Sequence, residues 1–120
     1  MAKDLNRLSA EVIMGWQLCF EVKEGHYCLP DEDSSVCKVQ YLLKDWHPLT
    51  DMNQCMMVVE RMRELGWNME VFLTGQGQPQ AYIKPVSAYA SKDHHFYHAI
   101  SETAQESLIT AALKAKGVEV

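Results

Sequence analysis

Asp93-His94-His95-Phe96-Tyr97-His98 holds three of the chain's five histidines and is its densest run of side chains able to do chemistry. As a helix it would put His94 and His98 on one face at i, i+4, the spacing of the two ligands in a zinc protease motif. That motif needs a Glu beside the first His as general base, and His95 stands there instead. The aromatic residues favour a strand, in which His94 and His98 share a face and His95 points away. Three readings follow: a metal-binding pair, polar histidines of a loop and strand, or a cluster whose imidazoles bind phosphate or stack on a base. Just upstream, Tyr82, Lys84, Tyr89 and Lys92 add aromatic rings for stacking and cations for phosphates, the mixture a nucleotide pocket needs. The candidate ligand-binding residues are therefore Tyr82, Lys84, Tyr89, Lys92, His94, His95, Tyr97 and His98. The competing reading of the same residues is an exposed loop insertion without a ligand.

Other chemistries find less support. Gly75-Gln76-Gly77 offers backbone N–H groups to an anion but lacks the trailing Lys-Ser/Thr and the following helix of a phosphate loop. It reads as a hairpin turn. The chain has no Gly-x-Ser-x-Gly elbow, no cysteine carries a nucleophile signature, and no carboxylate is singled out. The expectation is a protein that is not an enzyme, with no cofactor and no metal. Cys19, Cys28 and Cys37 are evenly spaced, but without a Cys-x-x-Cys pair they do not form a usual zinc pattern. With no apolar leader near the N-terminus, the four cysteines are expected as reduced thiols in a cytoplasmic protein, partly buried. Met52, Met56 and Met62 form a helical stripe that reads as core or as an adaptable partner surface.

Charge narrows the partners. The formal net charge is -5, and the 11 Lys and Arg residues are scattered, while the densest charge run, Asp31-Glu32-Asp33, is acidic. Duplex nucleic acid and anionic membrane surfaces are therefore disfavoured as partners. No segment reaches the ~18 apolar residues of a membrane span.

The elements that must position these residues emerge from periodicity and caps. A helix is predicted over residues 4–14, ended by Gly15 and followed by Trp16, which folds back on the last turn. Alternation then predicts a strand from Trp16 to Val22, and a Gly25-containing turn leads into Tyr27-Cys28-Leu29. A second strand runs over Val36–Leu43, with Cys37, Val39, Tyr41 and Leu43 on one face. Trp46-His47-Pro48 breaks the pattern, and Thr50 or Asp51 caps a helix to about Leu65 whose stripe is Met52, Cys55, Met56, Val59 and Met62, with Val58 and Leu65 widening it. Gly66 ends it, and Trp67 follows. Strands are predicted over Met69–Leu73, Ala81–Val86 (Pro85 marking an edge or an end) and Phe96–Ile100. The last helix opens on the capping box Thr103-Ala-Gln-Glu106 and runs to Gly117. The fold class is α+β, one domain over residues 1–120, with a mostly antiparallel sheet flanked by helices in the order α-β-β-α-β-β-β-α.

Three segments carry a family resemblance: Leu8-Ser-Ala-Glu-Val-Ile-Met-Gly-Trp16, Trp46-His-Pro-Leu-Thr-Asp51 leading into Val58-Val-Glu-Arg-Met-Arg-Glu-Leu-Gly-Trp67, and Thr103-Ala-Gln-Glu-Ser-Leu-Ile-Thr-Ala-Ala-Leu-Lys-Ala115. Together they resemble the phage ABA-sandwich domain, a family of small proteins of Bacillus-type phages and prophages. The resemblance implies an α-β-α sandwich and a phage origin, and it brings no catalytic residues. The chain departs from it at Ile109-Thr110, where Cys-Arg is usual, and over residues 87–98. Residues 51–116 also follow the helix-strand-strand-strand-helix order of a double-stranded-RNA-binding domain. Where such domains place basic residues to grip phosphates, this chain has Thr103-Ala-Gln-Glu106.

Small phage-encoded α/β domains without catalytic residues resemble anti-defence proteins that sequester nucleotide signals of Thoeris- or CBASS-type immunity. That resemblance makes a homo-oligomeric sponge for a small nucleotide-like ligand the first functional expectation. A module that inhibits or adapts a host protein is the second, and an enzyme of unrecognised type the third.

Overall fold

The structure, a computed structural model, describes residues 4–19, 25–29, 38–85 and 97–120, without the side chains of Cys19, His26, Leu29, Lys38 and Val39. Asp4 opens the first helix, its carboxylate accepting from the Arg7 N–H. Helix α1 (Leu5–Leu8) widens at once into a π-helix over Ser9–Ile13. The widening occurs where side-chain donors enter the ladder. The Asn6 carbonyl accepts from Ser9 Oγ at 2.7 Å and from the Trp46 indole N–H at 3.0 Å. Gly15 then takes a positive φ of 74°, and Trp16 is buried.

Strands β1 (Gln17–Cys19), β2 (His26–Leu29) and β3 (Lys38–Leu42) form one antiparallel sheet with β2 in the middle. Alternation had marked two strands here, with Tyr27–Leu29 as the far side of a turn. Those residues are instead the central strand, too short to show a period of their own. Strand β3 stops at Leu42 and tightens into a 3-10 turn over Leu43–Asp45. Leu43 therefore leaves the strand face assigned to it and is exposed, whereas Tyr41 packs against the core. Trp16, Tyr27, Tyr41 and Trp46 meet there, with the Trp16–Trp46 rings edge-on at 4.8 Å and Trp16–Tyr41 stacked at 5.7 Å.

Asp51 caps α2 (Met52–Glu64), accepting from the N–H groups of Asn53 and Gln54. Its buried face is Gln54, Cys55, Val58 and Met62, while Met52 and Met56 are exposed. The predicted stripe is thus rotated toward Gln54. That side chain is drawn inward because its Oε1 accepts from the His47 N–H and its Nε2 donates to the Asp45 carbonyl, both at 2.6 Å. One polar residue, satisfied at both ends, fixes which way the helix faces.

Gly66, at φ 95°, turns the chain into β4 (Trp67–Leu73). Trp67 is half-buried, less covered than Trp16. Strands β5 (Pro79–Pro85) and β6 (Tyr97–Ile100) complete a second antiparallel sheet, ordered β4-β5-β6. Proline brackets β5 at both ends, so Pro85 marks an end rather than an edge. Thr103 Oγ1 accepts from the Glu106 N–H and starts α3 (Ala104–Ala115). It closes with the Gly117 N–H on the Lys114 carbonyl and the Val118 N–H on the Leu113 carbonyl, the paired bonds of a Schellman end.

The two sheets meet different helical elements. Helix α3 covers the second sheet through β4, β5 and β6, and also touches α1, the π-helix and α2. The first sheet meets the π-helix through β1, and Tyr41 reaches α2 by donating its hydroxyl to Met57 Sδ at 3.5 Å. The expectation of an antiparallel α+β fold is met, with two three-stranded sheets in place of one.

Cys55 is a free, buried thiol, as expected. Cys28 departs from the expectation of reduced thiols, because it is disulfide-bonded. Protein oxidised in air and denatured without reductant should therefore take up two maleimides, rising to four after reduction. Four at the outset would remove the bridge. A second test concerns the α2 terminus. A Cβ on Gly66 meets nothing within 4 Å, so the cost of Gly66→Val is purely conformational. It should destabilise by about 1 kcal/mol or more, read as a lowered melting temperature.

Candidate functional site

Pairing in the second sheet places its side chains in rows. Glu70, Tyr82 and His98 are in register across the three strands; Phe72, Gln80 and Ile100 form the next row, and Asn68 pairs with Lys84. The intervening residues, Met69, Ile83, Ala81 and Ala99, point toward α3, and the last three are buried. The sheet therefore has a helix-covered face and an open face. Of the eight residues singled out in the sequence, Tyr82, Lys84 and His98 stand together on the open face.

The open face carries a short ladder of rings. Tyr82 stacks on Phe72 with centroids 5.2 Å apart and planes 19° from parallel. His98 flanks Tyr82 on the other side at 6.0 Å. Gln80 Nε2 donates to the Tyr82 hydroxyl at 3.3 Å, and fixes that ring's direction. Phe72 and His98 are exposed, and Tyr82 and Lys84 are half-buried. Lys114, from the end of α3, donates to the His98 carbonyl at 3.1 Å and anchors β6 without occupying its ring. Such a surface presents π faces to a planar ring, with the His98 imidazole, the Lys84 ammonium and the exposed Glu70 carboxylate on the same face.

Tyr97 lies on the other face. Consecutive strand residues point in opposite directions, and its ring packs edge-on against Trp67 at 6.0 Å, against the core. Tyr89, Lys92, His94 and His95 lie outside the described residues. The residues that sequence reading missed are Phe72 and Gln80. Their signal was the short Thr74–Gln78 turn, whose length sets the β4–β5 register.

No family model matches the chain, and neither does any curated protein or solved structure.

The turn after β4 is built as a hairpin. Thr74 Oγ1 accepts from the N–H groups of Gln76 and Gln78, and the Gly77 N–H donates to the Thr74 carbonyl. Those donors are already in use, so the turn is no anion cradle. Among the described residues, no three His, Cys, Asp or Glu side chains stand together in the manner of a metal site. Burial pushes the Cys55 thiol up to about 11, which leaves little thiolate at neutral pH and makes it a poor nucleophile. No helix among the described residues is long and apolar enough to cross a membrane. The α2-β4-β5-β6-α3 order is present, but the start of α3 carries Thr103 and Glu106 in place of cations.

The split between neighbouring residues is testable. Tyr97→Ala should destabilise by roughly 1–3 kcal/mol through lost packing on Trp67. His98→Ala, on the open face, should leave the melting temperature nearly unchanged. Equal effects from the two substitutions would contradict the face assignment.

Proposed function

We propose that this chain is a non-enzymatic accessory protein of phage type that binds a small nucleotide-like ligand by stacking it on the open face of the β4-β5-β6 sheet. The observation that carries the reading is the Phe72–Tyr82–His98 ladder, three rings side by side on a face that no described helix covers. A nucleobase is the natural occupant, because every base has a π face and stacking contributes about 1–3 kcal/mol per base. Lys84 and His98 are the groups to meet its phosphates. With no activated nucleophile among the described residues, the ligand would be held and released unchanged, so the protein would act by lowering the free concentration of a signal. The phage resemblance of the sequence makes a nucleotide-derived bacterial immune signal the leading candidate. The site of action would then be the host cytoplasm.

A second reading, a module that docks on a host protein, is supported by a separate observation. Met52 and Met56 project from α2 into solvent one turn apart, and methionine side chains adapt readily to a partner surface.

Calorimetry against cyclic ADP-ribose isomers and cyclic oligonucleotides should detect binding, with ligand recovered chemically intact after heating the complex. Tyr82→Ala should weaken that binding by about tenfold or more while the protein stays folded. If the whole panel gives neither heat nor a thermal shift, the stacking reading fails. A host protein then recovered at fixed stoichiometry, and lost with Met52→Lys, would put the docking module in its place.

A further inference from the structure

Strand β4 has a partner on one side only: β5 pairs with it, and among the described residues nothing pairs with its other edge. Its second half is apolar and open to water, with Val71 41%, Phe72 46% and Leu73 70% exposed. Soluble proteins usually blunt such an edge with lysine, proline, a bulge or a very short strand. Apart from the charge of Glu70, the seven residues of β4 include none of these devices, whereas the opposite edge strand, β6, has four described residues. Pro85 pairs with Trp67 at one end of β4, and the bare stretch lies at the other end.

We propose that this edge pairs with the same edge of a second copy, antiparallel about a two-fold axis at Phe72, to give a continuous six-stranded sheet. The choice of a second copy rests on self-complementarity. With Phe72 opposite its symmetry mate, Val71 of each chain faces Leu73 of the other, and the two Phe72 rings meet on the open face. The strand's one charge, Glu70, falls opposite Thr74 rather than opposite Glu70, so no like charges are apposed. A two-fold register centred on Val71 would set Glu70 against Phe72, and one centred on Leu73 would leave Val71 opposite Gly75, outside the strand. Size fixes the strength. Val71, Phe72 and Leu73 expose on the order of 300 Å2 per copy, so the pair with its strand backbone falls in the small, reversible class of interfaces. The dimer is therefore concentration-dependent, with dissociation in the micromolar range.

The proposal does not depend on the ligand reading, and its test avoids the ring ladder, since Val71 and Leu73 point away from the open face. Sedimentation velocity should show the unmodified chain passing from monomer to dimer as its concentration rises to the order of 100 µM. Leu73→Lys should abolish the dimer with no loss of melting temperature, because that side chain is largely in water. Met56→Lys, an equally exposed apolar position on α2, should leave the dimer intact. Hydrogen exchange on the unmodified chain should slow at the Val71–Leu73 amides as concentration rises. A chain that stays monomeric, a dimer that survives Leu73→Lys, or one that Met56→Lys also abolishes would each overturn the proposal.

Discussion

The burial of α3 against one face of the second sheet is the constraint on which the rest of the molecule depends. Ile109, Ala111, Ala112 and Leu113 are fully buried, a wider arc than a surface helix presents, because the helix has sheet on one side and helices on the other. The alanines let the backbones approach, and the Ser107 hydroxyl fixes the register along the sheet by donating to the Pro79 carbonyl at 2.8 Å. Once that face is sealed, strand alternation determines every other position. Residues one step away along β4, β5 and β6 lie on the sheet's open face.

The first half is held by a different device. Trp46 is buried, and its indole N–H is shared between the Asn6 carbonyl and the Ser9 hydroxyl, which ties the segment before α2 to the N-terminal helix across 40 residues of sequence. Asn6 adds a second tie, its Oδ1 accepting from the Leu49 N–H at 3.1 Å. These bonds explain why the helix deforms into a π-turn rather than running straight to Gly15. Around them four aromatic rings close the space between the first sheet and the helices, so that each sheet has its own cover. Buried polar groups here are matched in pairs, and such matching specifies one arrangement more sharply than apolar packing does.

Much of this was legible in the residues. Asp51, Thr103 and the glycines at 15, 66 and 117 mark helix ends because caps and left-handed turns depend on local chemistry alone. Strands β4, β5 and β6 were legible from alternation between turn residues. What escaped was whatever depends on a partner distant in sequence. The α2 stripe was read as Met52, Cys55, Met56, Val59 and Met62, and nothing local to the helix shows that Gln54 would be pulled inward by His47 and Asp45. Tyr27–Leu29 could be recognised as a strand only with neighbours on both sides. The site shows the same division. Tyr82, Lys84 and His98 share parity across strands, but Tyr97 had to fall on the opposite face from His98 in any strand, a point that composition alone concealed. Phe72 entered the site through the length of a turn, not through its own type.

An open sheet face without a cleft limits what one copy can bind. Small-molecule sites bury most of their ligand's surface, usually 70–90% of it for a compound of drug size. A flat row of three rings covers one side of a base and leaves the other in water, so stacking alone gives modest affinity. That limit connects the two features that stand out in the second sheet. The ring ladder ends at Phe72, which is also the centre of the unguarded apolar stretch on the edge strand. Joined there, two ladders would become one diagonal run of six rings on a single face, His98-Tyr82-Phe72 meeting its symmetry mate. A ligand with two bases or several phosphates would gain contacts from both copies and would favour the dimer by mass action.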